Sequence, residues 1–221
     1  DYDISPDGLT IYYSRVNNDG TSAVYALDRQ TGEVKRIFLC RQALCRDPQI
    51  SPEAEAIAYE RIPQDAEQNP DVYLYSFAER ASRPIMDSEH YLENPSWSSQ
   101  GWLAVYDRTS EKFRFLQPHS GDTASFQNEA GGVGTWTPDG LTFITTTFID
   151  LDEELAPRHL LAFNLLSGET RDLTQDTYLE DANPAQAPLG DLLAFGRKSL
   201  HPEQWTPGRQ LWVMEGEGTQ A

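Results

Sequence analysis

Apolar and polar residues alternate in short runs along this chain, and the runs come in pairs joined by a tight turn. The clearest pair is centred on Trp136-Thr137-Pro138-Asp139-Gly140-Leu141-Thr142-Phe143-Ile144. Proline supplies the fixed φ of the second position of a type I turn, aspartate suits the third, and glycine accepts the left-handed conformation that follows. Trp136 therefore ends one strand, and Leu141 to Phe148, rich in β-branched and aromatic residues, makes the next. The pattern returns as Ser5-Pro6-Asp7-Gly8 before Leu9-Thr10-Ile11-Tyr12-Tyr13, and as Ser51-Pro52-Glu53 before Ala56-Ile57-Ala58-Tyr59. Weaker copies are Trp97-Ser98-Ser99-Gln100-Gly101 before Trp102 to Tyr106, and Ala187-Pro188-Leu189-Gly190 before Leu192 to Phe195.

The anchors Pro6, Pro52, Ser99, Pro138 and Pro188 lie 46, 47, 39 and 50 positions apart. Each hairpin is followed by a third alternating run: Ala23–Leu27, Val72–Tyr75, Lys112–Leu116, Leu160–Phe163 and Gln210–Met214. Fourth runs follow at Val34–Phe38, Ser82–Met86, Thr123–Phe126 and Thr170–Thr174, where arginine, lysine and proline suit an exposed sheet edge. Four short strands at a period of about 40–45 residues are those of a propeller blade. The pattern thus predicts an all-β chain, a β-propeller of four-stranded antiparallel blades in a single domain 1–221. Five repeats are visible, at approximately 1–43, 44–90, 91–130, 131–178 and 179–221. An ordinary β-sandwich is the competing reading, and the regular period argues against it. The fifth repeat has no outer strand of its own, so the array is either five-bladed with an incomplete last blade or part of a six-bladed or larger ring.

These repeats resemble the WD40-like repeat of TolB-type propellers, whose blades carry a Trp-Ser-Pro-Asp-Gly turn before an Ile-Ala-Phe type of strand. The resemblance covers nearly the whole chain. It implies a propeller, most often six-bladed, that binds partner proteins with its axial opening and the loops around it. No partner-contact motif matches residue by residue, and that family's separate N-terminal domain has no counterpart in these residues.

Charge narrows the partners. With 35 acidic against 17 basic residues the formal net charge is −18, which repels a phosphate backbone and sets nucleic acid aside. No run approaches the roughly 18 apolar residues of a membrane span. Cys40 and Cys45 sit in the connection between the first two repeats; a disulfide, two free thiols and half of a metal site are the three readings. The disulfide is the favoured one, and it points to an extracytoplasmic setting, periplasmic or secreted.

In a four-stranded antiparallel meander, the link between strands two and three emerges at the same end as the link to the next blade. That end therefore receives the long links Ile62–Asn69, Ile149–Arg158 and Arg197–Gly208, and the blade-to-blade links with Asp47, Asp87, Glu89, Glu93, Asp176, Glu180 and Asp181. Long loops on a rigid scaffold are where binding concentrates. The candidate binding residues are the carboxylates Asp65, Glu67, Asp150, Asp152, Glu153, Glu154, Asp176, Glu180 and Asp181, suited to a basic protein surface. Solvated carboxylates with no partner are the plain alternative. Asp150 to Glu154 also offers oxygens to calcium but lacks the glycine and downstream glutamate of an EF-hand loop, and Asn17-Asn18-Asp19-Gly20 reads better as a hairpin turn.

Catalytic constellations are sparse. There is no Gly-x-Ser-x-Gly elbow, and Gly131-Gly132-Val133-Gly134 lacks the lysine of a phosphate loop. His90, His159 and His201 fall at or near the long-link end, and some propeller-shaped polysaccharide lyases hold a metal with histidines. The expectation is a non-catalytic scaffold, without a cofactor, that binds another protein. The alternatives are the propeller portion of a larger enzyme or sensor and, less favoured, a metal-dependent lyase.

Overall fold

The computed structural model describes residues 1–65, 67–86, 89–148, 157–176, 178–201, 203–204 and 208–215. Every regular element among them is a strand. The first sheet comprises β1 (Tyr2–Ile4), β2 (Thr10–Val16), β3 (Ser22–Asp28) and β4 (Val34–Cys40). The second has β5 (Ala43–Ile50), β6 (Ala56–Pro63), β7 (Asp71–Ser76) and β8 (Ala81–Pro84). The third has β9 (Leu92–Trp97), β10 (Leu103–Asp107), β11 (Lys112–Leu116) and β12 (Thr123–Gln127). The fourth has β13 (Gly134–Trp136), β14 (Thr142–Phe148), β15 (Arg158–Asn164) and β16 (Thr170–Asp172). The fifth, with three strands among the described residues, has β17 (Leu179–Gln186), β18 (Leu192–Ser199) and β19 (Gln210–Glu215). In each sheet neighbouring strands are consecutive in sequence, a meander.

The chain separates into two compact units. One holds Asp1–Trp97, Gly101–Ser110 and Arg114–Thr123; the other holds Ser98–Gln100, Glu111–Phe113 and the chain from Ala124 onward. In the first, Val24 and Cys40 of the first sheet pack on Ile57, Tyr59 and Tyr75 of the second, with Phe38 stacked on Tyr75 at 4.6 Å. The other face of the second sheet, Ala58, Val72 and Leu74, meets Leu92, Leu103 and Val105. In the second unit, Ile144, Leu160, Ala162 and Leu173 of the fourth sheet bury against Leu193, Phe195 and Met214 of the fifth.

The turn that recurs in the sequence is a polar clasp. Ser5 Oγ accepts from Thr10 N at 2.8 Å and donates to Asp7 at 2.6 Å, and the Asp7 carboxylate accepts from Leu9 N. Thr137 and Asp139 repeat this with Thr142 and Leu141. Serine or threonine and aspartate supply these bonds, and glycine takes the left-handed place: φ is 72° at Gly8 and 71° at Gly140. In the second sheet that place is taken by Ala54, at φ 56°. A β-carbon there is strained by roughly 1–2 kcal/mol.

The inner strands run further than alternation alone predicts. Asp47, Asn94 and Asn183 each have a left-handed backbone and each precede a proline, and the register shifts between Arg46 and Gln49, between Ala104 and Tyr106, and between Ala182 and Ala185. Each is a β-bulge after which pairing resumes, so β5, β9 and β17 continue toward the preceding sheet. Asp47, Glu93, Glu180 and Asp181, expected in blade-to-blade links, are therefore strand residues, as is Cys45.

Side chains tie these inner strands to the next sheet. Asp3 accepts from Ile50 N at 2.8 Å, Glu60 from Asn94 N at 2.8 Å, and Trp97 Nε1 donates to the carbonyl of Gln49 at 3.1 Å. In the second unit Thr135 Oγ1 accepts from Gln186 N at 3.2 Å. The arrangement crowds acids: burial, then the neighbouring Glu60 carboxylate and more weakly Asp3, push the Asp47 carboxyl up. Cys40, at the end of β4, and Cys45, in β5, form a disulfide with a Cα–Cα distance of 5.9 Å, both sulfurs among the buried residues that join the first two sheets.

Three outcomes follow for stability. Ala54→Gly raises the unfolding free energy by about 1 kcal/mol in denaturant titration, because glycine takes left-handed φ without the β-carbon penalty. Asp47→Asn keeps the left-handed conformation and the acceptor for Gln49 Nε2 but removes a charge held against burial. A carboxyl raised in the folded state penalises folding above that raised value, so this substitution stabilises at pH 7, and the gain fades as pH falls through the raised value and is gone once pH is below the ordinary carboxylate range. Reducing the disulfide, whose cysteines are 5 positions apart, lowers the unfolding free energy by about 2 kcal/mol in parallel denaturant titrations with and without reductant.

Candidate functional site

Backbone hydrogen bonds sort the connections. Gln64 N donates to Gln42 O at 3.0 Å and Leu92 N to Pro70 O at 3.1 Å, so the link from β6 to β7 emerges beside the sheet-to-sheet connections. In the second unit Leu200 N does the same with Tyr178 O at 2.8 Å. At the other end tight turns meet one another: Arg29 N with Leu9 O, Phe77 N with Glu55 O, and Leu165 N with Leu141 O. This is the sorting that an antiparallel meander requires.

Among the candidate carboxylates, Asp65 and Glu67 belong to the first unit and are exposed. Asp65 closes its own loop by accepting from Glu67 N at 3.1 Å and Gln68 Nε2 at 3.3 Å, an Asx turn that fixes the backbone and leaves Glu67 projecting. In the second unit Asp176 is exposed and accepts from Tyr178 N at 2.8 Å. Glu180 is half-buried and paired with Arg209. Asp181, expected in a solvated link, is instead completely buried in β17 and holds Arg197 through two bonds of 2.8 and 2.9 Å. The bulge at Asn183 carries it into the sheet, and the Arg197 guanidinium is flanked by the Phe195 and Trp212 rings. Asp150, Asp152, Glu153 and Glu154 lie outside the described residues, as does Asp87.

The histidines have separate partners. His90 Nδ1 lies 2.9 Å from Asp107, whose buried carboxylate also receives Arg114 Nε at 2.7 Å and Ser110 Oγ at 2.7 Å. Burial pushes the Asp107 carboxyl up, but the bonds from Ser110 and Arg114 and the charges of Arg114 and His90 outweigh it and hold it below the usual range. His159, also buried, bridges Asp172 and the carbonyl of Asp176, both at 2.8 Å. His201 lies against the Tyr178 ring at 5.3 Å, and His119 is in the opposite turn, 3.8 Å from Glu55. Among the described residues no group of three or more His, Cys, Asp or Glu is arranged to hold a metal ion. Asn17–Gly20 forms the expected turn, Asp19 accepting from Thr21 and Asn17 from Tyr25 Oη.

Among the clefts, two are lined mainly by apolar side chains. One in the first unit, about 240 Å³, is lined by Leu74, Ile85, Leu103 and Leu116 with Arg83 and Asp122. One in the second, about 460 Å³, has Ile144, Ala162 and Leu173 beside Arg171, Asp139 and Asp191. The link-bearing ends thus carry exposed carboxylates on hydrogen-bonded loops, beside histidines already engaged. The Asp-Pro or Asn-Pro pair at each bulge was present in the sequence. Asp47, Asn94 and Asn183 each stand five positions before Pro52, Ser99 and Pro188.

No protein-family model matches the sequence, and no curated protein matches it. Solved structures do. TolB from Acinetobacter baumannii is similar over 98% of this chain and 54% of its own, at 16% identity and a TM-score of 0.67. The β-propeller domain of the Trilobed protease from Pyrococcus furiosus is similar over 98% of this chain and 68% of that one, at 12% identity and a TM-score of 0.73. An oligogalacturonate lyase in complex with manganese is similar over 96% of this chain and 61% of that one, at 14% identity and a TM-score of 0.70. The chain thus spans about half the length of the TolB it matches. The antiparallel meander sheets and these likenesses together establish a TolB-like β-propeller fold.

Proposed function

We propose that the chain is a non-catalytic propeller scaffold that binds another protein, one with a basic surface, through the link-bearing ends of its sheets. The observation that carries this is the division of labour among its acids. Asp107, Asp181 and Glu180 each hold an arginine, whereas Asp65 and Glu67 stand exposed on a braced loop with no cation beside them among the described residues. A chain of net charge −18 with such loops attracts a cationic partner and speeds its encounter. Asp150, Asp152, Glu153 and Glu154, in the corresponding link of the fourth repeat, are proposed to extend the set, with Asp176 beside the fifth. Likeness to TolB supports protein binding, and the disulfide supports an extracytoplasmic setting, periplasmic or secreted. No helix among the described residues is long and apolar enough to cross a membrane.

A second reading, the propeller portion of a larger enzyme or sensor, is favoured by the likeness to a protease's propeller domain. There the same carboxylates would present a site located elsewhere in the polypeptide.

The pair Asp65→Asn and Glu67→Gln, which retains the Asx turn, is expected to weaken capture of a cationic partner from an extracytoplasmic fraction by about tenfold at low salt, with less effect as salt rises. Unchanged capture by this double variant, and by one that also carries Asp152→Asn, Glu153→Gln and Glu154→Gln, sinks the proposal. Thermal unfolding of both variants checks that the fold is intact.

A further inference from the structure

The cleft between the first and second sheets differs in chemistry from the clefts above. It has a volume of about 390 Å³ and a floor of aromatic rings: Phe38 lies 4.7 Å from Tyr59 and 4.6 Å from Tyr75, and Tyr59 lies 6.0 Å from Tyr73. Arg41, Arg61 and Arg80 line it beside these rings, and no carboxylate does. Elsewhere the clefts include acids: Asp122 in the one at Leu74 and Leu103, Asp139 and Asp191 in the one at Ile144 and Leu173, and Glu53, Glu55 and Glu79 in one beside Trp97. In a chain with 35 acidic and 17 basic residues, three arginines gathered without an acid run against the composition.

Each of these cations stands on fixed backbone. Arg41 lies in the hairpin between β4 and β5, which the Cys40–Cys45 disulfide closes and where Gln64 N donates to Gln42 O at 3.0 Å. Arg61, in β6, donates to the Arg41 carbonyl at 3.5 Å and holds its guanidinium 5.5 Å from the centre of the Tyr73 ring. Arg80 is in the turn from β7 to β8, where its backbone N donates to the Ser76 carbonyl at 2.8 Å. Register sets Arg61 opposite Asp71, which opens β7, whereas Arg80 follows Ser76, which closes it, so the rings lie between cations. Among the described residues none of the three arginines is paired with a carboxylate; Asp71 is buried and accepts from Val72 N at 2.7 Å. Burial pushes the Tyr59 hydroxyl up to about 12, against the bond with Ser82 and the Arg61 charge, so that ring adds no negative charge.

We propose that this cleft binds a flat organic anion, a carboxylate carried on an aromatic ring. A guanidinium meets a carboxylate through two parallel N–H bonds, and the attraction is stronger beside apolar rings than in open water. Phe38 and Tyr73, both half-buried, supply ring surface for a flat body. The volume falls within the range of small-ligand clefts. A chain of net charge −18 repels anions at long range, so a site for one needs cations gathered locally, as they are here. None of the carboxylates proposed above for a cationic partner lines this cleft, so the two readings stand or fall separately.

The test is a binding titration with naphthoate, followed by saturation-transfer NMR, beside naphthamide, which has the same rings without the charge, and inorganic phosphate, which has charge without rings. Naphthoate is expected to bind at least about tenfold more tightly than either. Arg41→Gln and Arg61→Gln are each expected to weaken it by about tenfold, whereas Arg29→Gln, at an exposed arginine outside the cleft, leaves it unchanged. Near-UV circular dichroism checks the fold of each variant, and Tyr73→Leu, which keeps all three charges, is expected to weaken naphthoate while leaving phosphate as it was. Naphthamide or phosphate binding as tightly as naphthoate, or naphthoate binding unmoved in both arginine variants, overturns the proposal. Tighter binding of a tetra-aspartate peptide than of naphthoate overturns it as well, and makes an acidic peptide the occupant.

Discussion

Burial of one short row of side chains between successive sheets is the constraint on which the rest depends. Strands of 3–8 residues do not stand alone in water, and a single sheet of this repeat has no second layer to close on. Ile57 with Tyr59, or Leu193 with Phe195, removes two large apolar side chains from water at each junction, worth roughly 3–6 kcal/mol per pair. Stability is then a sum over neighbours, as in other repeat arrays. The aromatic content concentrates at these junctions: Phe38 with Tyr59 and Tyr75 in the first unit, and Phe113, Phe126, Phe143 and Phe163 in the second.

Beneath that apolar row the inner strands meet through polar groups, because backbone donors there have no strand partner on the next sheet and still need acceptors. Asp3 and Glu60 accept from Ile50 and Asn94, and Thr135 from Gln186. A carboxylate is a strong acceptor, but it brings charge into partly buried surroundings, and the raised Asp3 and Asp47 carboxyls record the cost. Where the repeat has asparagine instead of aspartate, at Asn94 and Asn183, the same bulge forms without that charge. Part of the chain's acidity is therefore structural wiring and takes no part in display.

How legible this was in the sequence depended on the range of the interaction. Turn chemistry is local, so the hairpin at Thr137-Pro138-Asp139-Gly140 and its copies fixed the sheets, and β11 runs over the expected Lys112–Leu116. The meander then sorted the links correctly, as the bonds of Gln64 to Gln42 and Leu200 to Tyr178 show. The inner strands were read too short because Asp-Pro and Asn-Pro carry turn chemistry, and only the next sheet makes pairing resume beyond them. Cys40 and Cys45 showed that a bridge was feasible; the choice among bridge, thiols and metal needed β4 and β5 in place. Asp181 was misplaced for the same reason: its partner Arg197 stands 16 positions away on the next strand, and no local pattern announces a buried ion pair.

That last error decides how the acidic surface is to be understood. A carboxylate that holds a guanidinium in a desolvated strand has its oxygens committed, and breaking the pair would leave an uncompensated buried charge. Asp181 with Arg197 and Asp107 with Arg114 are of this kind, and a partner gains nothing from them. Asp65 commits its oxygens only to its own loop, which costs no charge and holds the neighbouring Glu67 in place. Which carboxylates stay uncommitted therefore depends on where a link is long enough to turn back on itself. It does not follow from where the sequence is most acidic.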